Sequence, residues 1–164
     1  MIILDKTSTI KKHNCEVQVT EVDDNHISNC QVICSGKSKK NQWQVVLPSI
    51  YGGYAMLLDK HLIDLPSKLF LVRQINEHSR GGHIEYEIHL MDLYGKVINK
   101  FTGSYNSKFI LDDKFLWFYV SGKKPYSYTF NYDLKIIKLD YTKGVVEKVE
   151  NGKLPTIIYK QFWN

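Results

Sequence analysis

Residues 115–120, Phe-Leu-Trp-Phe-Tyr-Val, constrain the fold of this chain most strongly, because all six side chains are apolar or aromatic. Successive side chains of a strand point to opposite faces, so apolar residues at both parities need cover on both faces. We therefore predict a strand at the centre of a sheet. The run is also far shorter than the roughly 20 residues that a membrane helix needs, and the sequence predicts no membrane partner.

Short strands separated by turns account for most of the remaining chain. Residues 84–90 alternate strictly between apolar and polar types, which predicts a half-buried strand with its polar side chains facing solvent. Turn signals recur about every 8–12 residues, as is typical of antiparallel sandwiches and barrels. The other predicted strands cover residues 15–22, 26–34, 43–47, 69–75, 97–101, 109–111, 126–130, 134–139, 145–149 and 156–162.

One segment has the spacing of a helix. From Tyr54 to Leu62, apolar residues recur at i, i+3, i+4, i+7 and i+8, and Leu65-Pro66 supplies a stop. A short buried strand over residues 54–58 is the alternative. We predict a mainly β fold for residues 1–164, as a single antiparallel sandwich or barrel-like domain with one short helix.

Two segments resemble each other. Each is an alternating strand followed by an aspartate, a turn that contains glycine, and a return strand that opens on valine, and the aspartates are Asp92 and Asp140. The pair looks like the hairpin found in β-propeller blades, which implies a propeller-like scaffold as one alternative. An ordinary β-hairpin has the same pattern, and we favour that interpretation.

Charge and cysteine usage bear on location and partners. The net charge is +5, and residues 101–164 hold ten lysines against six acids together with 15 of the 21 aromatic residues. The start of the chain has no secretory-signal pattern, and three cysteines cannot all pair. We therefore predict a cytoplasmic protein whose Cys15, Cys30 and Cys34 are small buried hydrophobes rather than members of a structural disulfide.

Metal and catalytic motifs are missing from the sequence. Cys30 and Cys34 would lie roughly 13 Å apart on an extended strand, too far for both to bind one zinc ion. The sequence also lacks phosphate-loop, dinucleotide-binding, zinc-protease and serine-hydrolase patterns. We predict no metal, no cofactor and no enzymatic activity.

The segment whose side chains are best suited to catalysis contains His78, Arg80 and His83 around a Gly-Gly pair. Two imidazoles and a guanidinium are the groups of a metal-independent ribonuclease, where they act as acid, base and phosphate clamp. A polar, glycine-rich hairpin loop has the same composition. We favour the loop interpretation and retain these three residues as candidates for contact with a partner.

The remaining candidate binding residues lie in the aromatic, lysine-rich part of the chain. Exposed tyrosine and tryptophan beside lysine suit either a protein interface or a stacking platform for single-stranded nucleic acid. The candidates are Lys123, Lys124, Tyr126, Tyr128 and Trp163.

The function predicted from the sequence is binding of another protein without catalysis. An example is a bacterial immunity protein that neutralises a toxin domain, since the chain is small and its composition, rich in Ile, Lys, Asn and Tyr, suggests an AT-rich bacterial gene. The alternative is a small basic domain that binds nucleic acid or cleaves RNA. Strong salt dependence of binding to RNA would distinguish the alternative.

Overall fold

The structure is a computed structural model that describes residues 1–24, 27–48, 54–56, 61–77, 84–123 and 132–163. These residues form three antiparallel sheets and one α-helix, which confirms the predicted mainly β fold of sandwich type. The strands are β1 (Ile2–Leu4), β2 (Thr9–Lys12), β3 (Cys15–Asp24), β4 (Ile27–Gly36), β5 (Gln42–Leu47), β6 (Tyr54–Met56), β7 (Leu62–Asp64), β8 (Leu69–Glu77), β9 (Ile84–Asp92), β10 (Val97–Gly103), β11 (Tyr105–Asn106), β12 (Phe109–Leu111), β13 (Phe115–Lys123), β14 (Tyr132–Asp140) and β15 (Val145–Val149), and the helix is α1 (Thr156–Trp163).

Apart from β1, which belongs to the third sheet, the three sheets follow one another along the chain. The first sheet has the order β2-β3-β4-β5, and the second has the order β10-β9-β8-β6 with β7 also paired to β8. The third sheet has the order β1-β12-β13-β14-β15, with β11 paired to β13. Most neighbouring strands are joined by short turns, so each sheet is built largely from local hairpins.

The sheets stack face to face, with the second sheet in the middle. Leu71 and Ile88 of the second sheet belong to a buried apolar cluster shared with the third sheet. Phe70 and Met91, on its opposite face, belong to a cluster shared with the first sheet. Helix α1 covers the outer face of the third sheet, so the layers are first sheet, second sheet, third sheet and helix.

Strand β13 occupies the central position predicted from residues 115–120. It pairs with β12 and β11 on one side and with β14 on the other. Leu116 and Phe118 are buried toward the second sheet, and Trp117 is buried under α1. The prediction of a strand covered on both faces is therefore confirmed.

The helix lies in a different place from the one predicted. Within residues 54–62, Tyr54–Met56 forms β6 and Leu62 opens β7, because both short segments pair with β8. Conversely, residues 156–162 are helical rather than extended. Two signals explain this: Pro155 directly precedes the helix, and the buried Ile158 and Phe162 are four residues apart.

The two similar segments form equivalent hairpins. Asp92 Oδ1 accepts hydrogen bonds from the backbone N–H groups of Tyr94 and Lys96, and Asp140 Oδ1 accepts them from Thr142 and Lys143. Gly95 and Gly144 follow with φ values of 86° and 75°, a conformation that favours glycine. The aspartate and the glycine therefore have the same roles in both turns.

The cysteines are buried as predicted, but their predicted chemistry is wrong for two of them. Cys15 on β3 and Cys34 on β4 are joined by a disulfide, and their Cα atoms are 6.0 Å apart. This separation lies within the usual range for disulfides. Cys30 is a buried free thiol on the same face of the first sheet.

Membrane-spanning helices and metal-binding clusters are both absent from the described residues. None of the described helices is long and apolar enough to cross a bilayer. In the same part of the chain, no three His, Cys, Asp or Glu side chains are grouped so that they could hold a metal ion.

Candidate functional site

The structure describes only part of the predicted binding set. Trp163 is described in full at the end of α1, and the backbone of Lys123 is described at the end of β13, where it pairs with Tyr132. The other predicted partner-binding residues lie outside the described residues, namely Lys124, Tyr126, Tyr128, His78, Arg80 and His83.

Trp163 belongs to a group of aromatic rings at the outer side of the third sheet. Its indole stacks on the ring of Tyr119, with centroids 5.1 Å apart and an interplanar angle of 20°. The ring of Tyr159 meets it at 6.2 Å with an angle of 60°. Trp163 remains 39% exposed and Tyr159 47% exposed. We call Tyr119, Tyr159 and Trp163 the aromatic face.

The packing of α1 positions this face. Ile158 and Phe162 are buried in an apolar cluster that includes Trp117 and Ile136 of the third sheet. Since residues four apart lie on the same side of a helix, Tyr159 and Trp163 share a neighbouring side that is only partly covered. Tyr119 reaches the same region from β13, where its ring packs edge-on against Phe162 at 5.3 Å. The exposed rings are thus held by a buried anchor.

Positive charge accompanies the aromatic face. Lys108 Nζ donates a hydrogen bond to the backbone carbonyl oxygen of Gln161 at 3.3 Å, which brings an ammonium group to the last turn of α1. Lys160 is exposed on the helix itself, and α1 has no acidic residue in its first turn. Burial raises the pKa of Tyr119, so its hydroxyl keeps its proton at neutral pH and can donate a hydrogen bond.

Sequence reasoning identified Trp163 but missed Tyr119 and Tyr159. The apolar pattern of residues 115–120 predicts that Tyr119 is covered, whereas the helix covers it only in part. The strand predicted over residues 156–162 includes Tyr159. The four-residue spacing of Tyr159 and Trp163, read with Pro155 as a helix start, was the signal that could have paired them.

A second notable feature is a buried polar cluster on the face of the second sheet that packs against the first sheet. Glu87 is 1% exposed and His89 is 5% exposed. The Lys100 ammonium lies 3.3 Å from Glu87 Oε1, and His89 Nε2 lies 4.0 Å from Glu87 Oε2. His89 Nε2 is also 3.1 Å from Gln74 Oε1, and Gln74 Nε2 donates to the carbonyl oxygen of Leu47 in the first sheet at 3.2 Å.

Strand β9 confirms the strand predicted over residues 84–90, but the cluster shows that the predicted half-buried environment is wrong for Glu87 and His89. Glu87 and His89 alternate with Ile88 and Leu90, so the pattern alone assigns them to solvent. The first sheet covers that face instead, and both polar side chains become part of the interior. Strict alternation cannot distinguish a solvated polar face from a satisfied polar layer between two sheets.

The electrostatics of the cluster favour a structural role. Burial, with a smaller contribution from the charge of Lys100, lowers the pKa of His89 to about 4. Burial and the nearby charge of Glu87 raise the pKa of the Cys30 thiol to about 12. An imidazole of this kind is a weak base at neutral pH, and the thiol stays protonated. The cluster instead joins the sheets through hydrogen bonds.

Comparisons of this chain with models of known protein families, with curated proteins and with solved structures find no match. The function is therefore inferred from the residues of this chain alone.

Proposed function

We propose that this chain is a non-catalytic protein-binding protein and that the aromatic face is its docking surface. The observation that carries the proposal is the geometry of Trp163. Its indole is held by stacking on Tyr119, yet 39% of the residue remains exposed. Tryptophan and tyrosine are the residues most enriched among those that dominate binding energy at protein interfaces.

The arrangement of the rings suits binding because they are already ordered. Stacking between Trp163 and Tyr119 restricts both side chains, and the burial of Phe162 holds the last turn of α1. Ordering side chains on association costs about 0.5–1.5 kcal/mol for each one that must be immobilised. A partner that covers this face would bury aromatic surface with little of that cost.

The charge of the region indicates the chemistry of the partner. Lys108 and Lys160 flank the rings, and the C-terminal 64 residues carry ten lysines against six acids. A second copy of the chain would bring like charges together at a shared face. The occupant that fits is therefore a different protein with an acidic surface patch.

The partner class that we propose is a toxin domain, with this chain as its immunity protein in the bacterial cytoplasm. Support comes from the lack of a catalytic or cofactor motif in the sequence and from the composition rich in Ile, Lys, Asn and Tyr. The Cys15–Cys34 disulfide is more usual in oxidising compartments, and this counts against the cytoplasmic assignment.

The experiment isolates the native partner with the tagged full-length chain and measures its affinity by calorimetry. Trp163→Ser should weaken binding at least about 30-fold, as expected for a residue that dominates an interface. Val145→Ser is the matched control, because Val145 is an exposed apolar residue at the opposite edge of the third sheet from β1.

An unchanged affinity for Trp163→Ser would contradict the aromatic face as the docking surface. The toxin assignment has its own test, in which the chain is co-expressed with the product of the neighbouring gene. We expect the unaltered chain to restore growth and Trp163→Ser to fail, while far-UV circular dichroism shows both to be folded. A neighbouring product that does not impair growth would contradict the toxin assignment alone.

A further inference from the structure

A solvent-open cavity lies at one end of the first sheet, where the hairpins β2–β3 and β4–β5 turn. Its volume is about 550 Å³. Lysine side chains from two different strands or turns, Lys11 and Lys37, line it together with the polar residues Asn14 and Ser35. Lys11 lies on β2 and Lys37 follows β4, so roughly 10 Å of sheet separates their backbones at the usual strand spacing.

The positive charge at this cavity is largely uncompensated. Lys39 and Lys40 follow Lys37 on an exposed 3-10 turn. Among the described residues, no carboxylate lies within 4.0 Å of the ammonium groups of Lys11, Lys37, Lys39 or Lys40. We call these four residues the lysine cluster.

The other charged residues that line the cavity have nearby partners. Lys12 forms an ion pair with Asp64 at 2.6 Å and donates to the carbonyl oxygens of Leu65 and Leu69. Glu16 accepts a hydrogen bond from Gln18 Nε2 at 2.9 Å and is the one acid among the described residues that line the cavity. With Lys12 paired to Asp64, the described lining holds one carboxylate against Lys11 and Lys37. Lys39 and Lys40 lie two and three positions beyond Lys37, so a local positive excess remains that an anion would relieve.

An exposed aromatic side chain lies in a turn at the same end of the first sheet as the lysine cluster. The Trp43 indole N–H donates to the carbonyl oxygen of Leu93 at 2.7 Å, which draws the turn of the β9–β10 hairpin against the first sheet. The same turn presents Tyr94, which is 65% exposed, and Lys96.

We infer that this end of the first two sheets binds single-stranded nucleic acid. The lysine cluster contacts phosphates, and the ring of Tyr94 stacks on a base. Proteins that hold single strands without sequence preference combine a positive groove with exposed aromatic rings in this way. The lysine cluster offers four ammonium groups from two separate segments, more than one phosphate needs, which favours a chain of phosphates over a lone anion. This site is separate from the aromatic face.

The test measures binding of a fluorescein-labelled 12-nucleotide oligothymidylate by anisotropy between 50 and 300 mM salt. Three or four phosphate contacts should give a log–log slope of about −2 to −3, since each contact on a single strand contributes about −0.7. Replacing the lysine cluster by glutamine (K11Q, K37Q, K39Q and K40Q together) should weaken binding at least tenfold and reduce the slope toward zero.

The matched control removes four exposed lysines of the third sheet and the C-terminal segment, Lys114, Lys143, Lys148 and Lys153, by the same change to glutamine. It alters the net charge equally and should change the affinity less than threefold. An equal loss in both quadruple variants would overturn the inference, because binding would then follow net charge alone. A lack of binding by the unaltered chain at 50 mM salt would also overturn it.

Two further measurements distinguish a nucleic-acid strand from a small phosphate compound as the ligand. Tyr94→Ala should weaken binding of the oligothymidylate about fivefold, while inorganic tripolyphosphate should compete poorly with the labelled strand. If tripolyphosphate competes as well as the unlabelled oligonucleotide and Tyr94→Ala has no effect, the site is specific for a small phosphate compound and the inference is wrong.

Discussion

The indole N–H of Trp43 donates a 2.7 Å hydrogen bond to the backbone carbonyl oxygen of Leu93, 50 residues further along the chain. The bond joins the first sheet to the second at the turn of the β9–β10 hairpin. The six-membered ring of Trp43 also lies directly against Gly95 in that turn, so a hydrogen bond and a close packing contact operate at one place.

This contact predicts that Gly95→Ala destabilises the chain. Gly95 has a φ of 86°, and a Cβ atom there would lie 2.9 Å from Trp43 Cδ2. Strain of this conformation together with the clash should lower the free energy of unfolding by about 1–3 kcal/mol in urea titrations. Gly152→Ala is the control, because Gly152 has open space around its Cβ position. Equal stability of the two variants would show that the turn can shift without loss.

His89 predicts a specific dependence of stability on pH. Its pKa is about 4 in the folded chain and about 6.5 when unfolded, so the unfolded state binds more protons between these values. The contribution of His89 to the free energy of unfolding is complete above pH 6.5 and is lost as the pH falls toward 4. The loss amounts to about 3 kcal/mol at most. Urea titrations at pH 7.5 and 4.5 should show a smaller difference for His89→Gln than for the unaltered chain. The same difference in both would place the titration elsewhere.

The contact between Glu87 and Lys100 predicts that the effects of replacing the two residues are not additive in a double-mutant cycle. Lys100→Met removes the ammonium group that lies 3.3 Å from the buried Glu87 carboxylate, while half of Lys100 itself is exposed to solvent. The single change should cost about 1–2 kcal/mol, discounted from the cost at a fully buried pair. Adding Glu87→Gln should recover part of that loss, because the unpaired charge is then absent. Additive losses would show that the two side chains do not interact.

The disulfide predicts the number of reactive thiols. Without reductant, the denatured chain should show one free thiol, that of Cys30, in a thiol titration, and three after reduction. Cys15→Ser should remove the link that closes a separation of 19 residues, at a cost of about 3 kcal/mol in the chain-entropy view. Cys30→Ser leaves the disulfide in place and serves as the control. Three thiols before reduction would mean that the pair is reduced in the isolated protein.

The local pattern predicted the environment of a strand correctly where the strand's own residues specified that environment. Residues 115–120 are apolar at both parities, and β13 is covered on both faces. The hairpins at Asp92 and Asp140 also follow from sequence, because an aspartate that accepts turn amides and a glycine at positive φ are local requirements. The same reasoning failed for Glu87 and His89, since the first sheet that covers them is remote in sequence.

The candidate site shows the same division. Trp163 could be proposed from sequence because tryptophan near lysine suits an interface, but its pairing with Tyr119 depends on α1 crossing the third sheet. The sequence shows Lys37, Lys39 and Lys40 close together, but it does not show that Lys11, 26 positions before Lys37, lines the same cavity.

The sequence by itself determined that this chain forms strands, where most of them run, and which of them lies at the centre, because side-chain alternation and turn chemistry act over a few residues. Only the tertiary structure decided which polar side chains are buried, which cysteines meet, and which rings and lysines share a surface. Those outcomes depend on how the sheets stack, and stacking brings together residues whose separation along the chain carries no local signal.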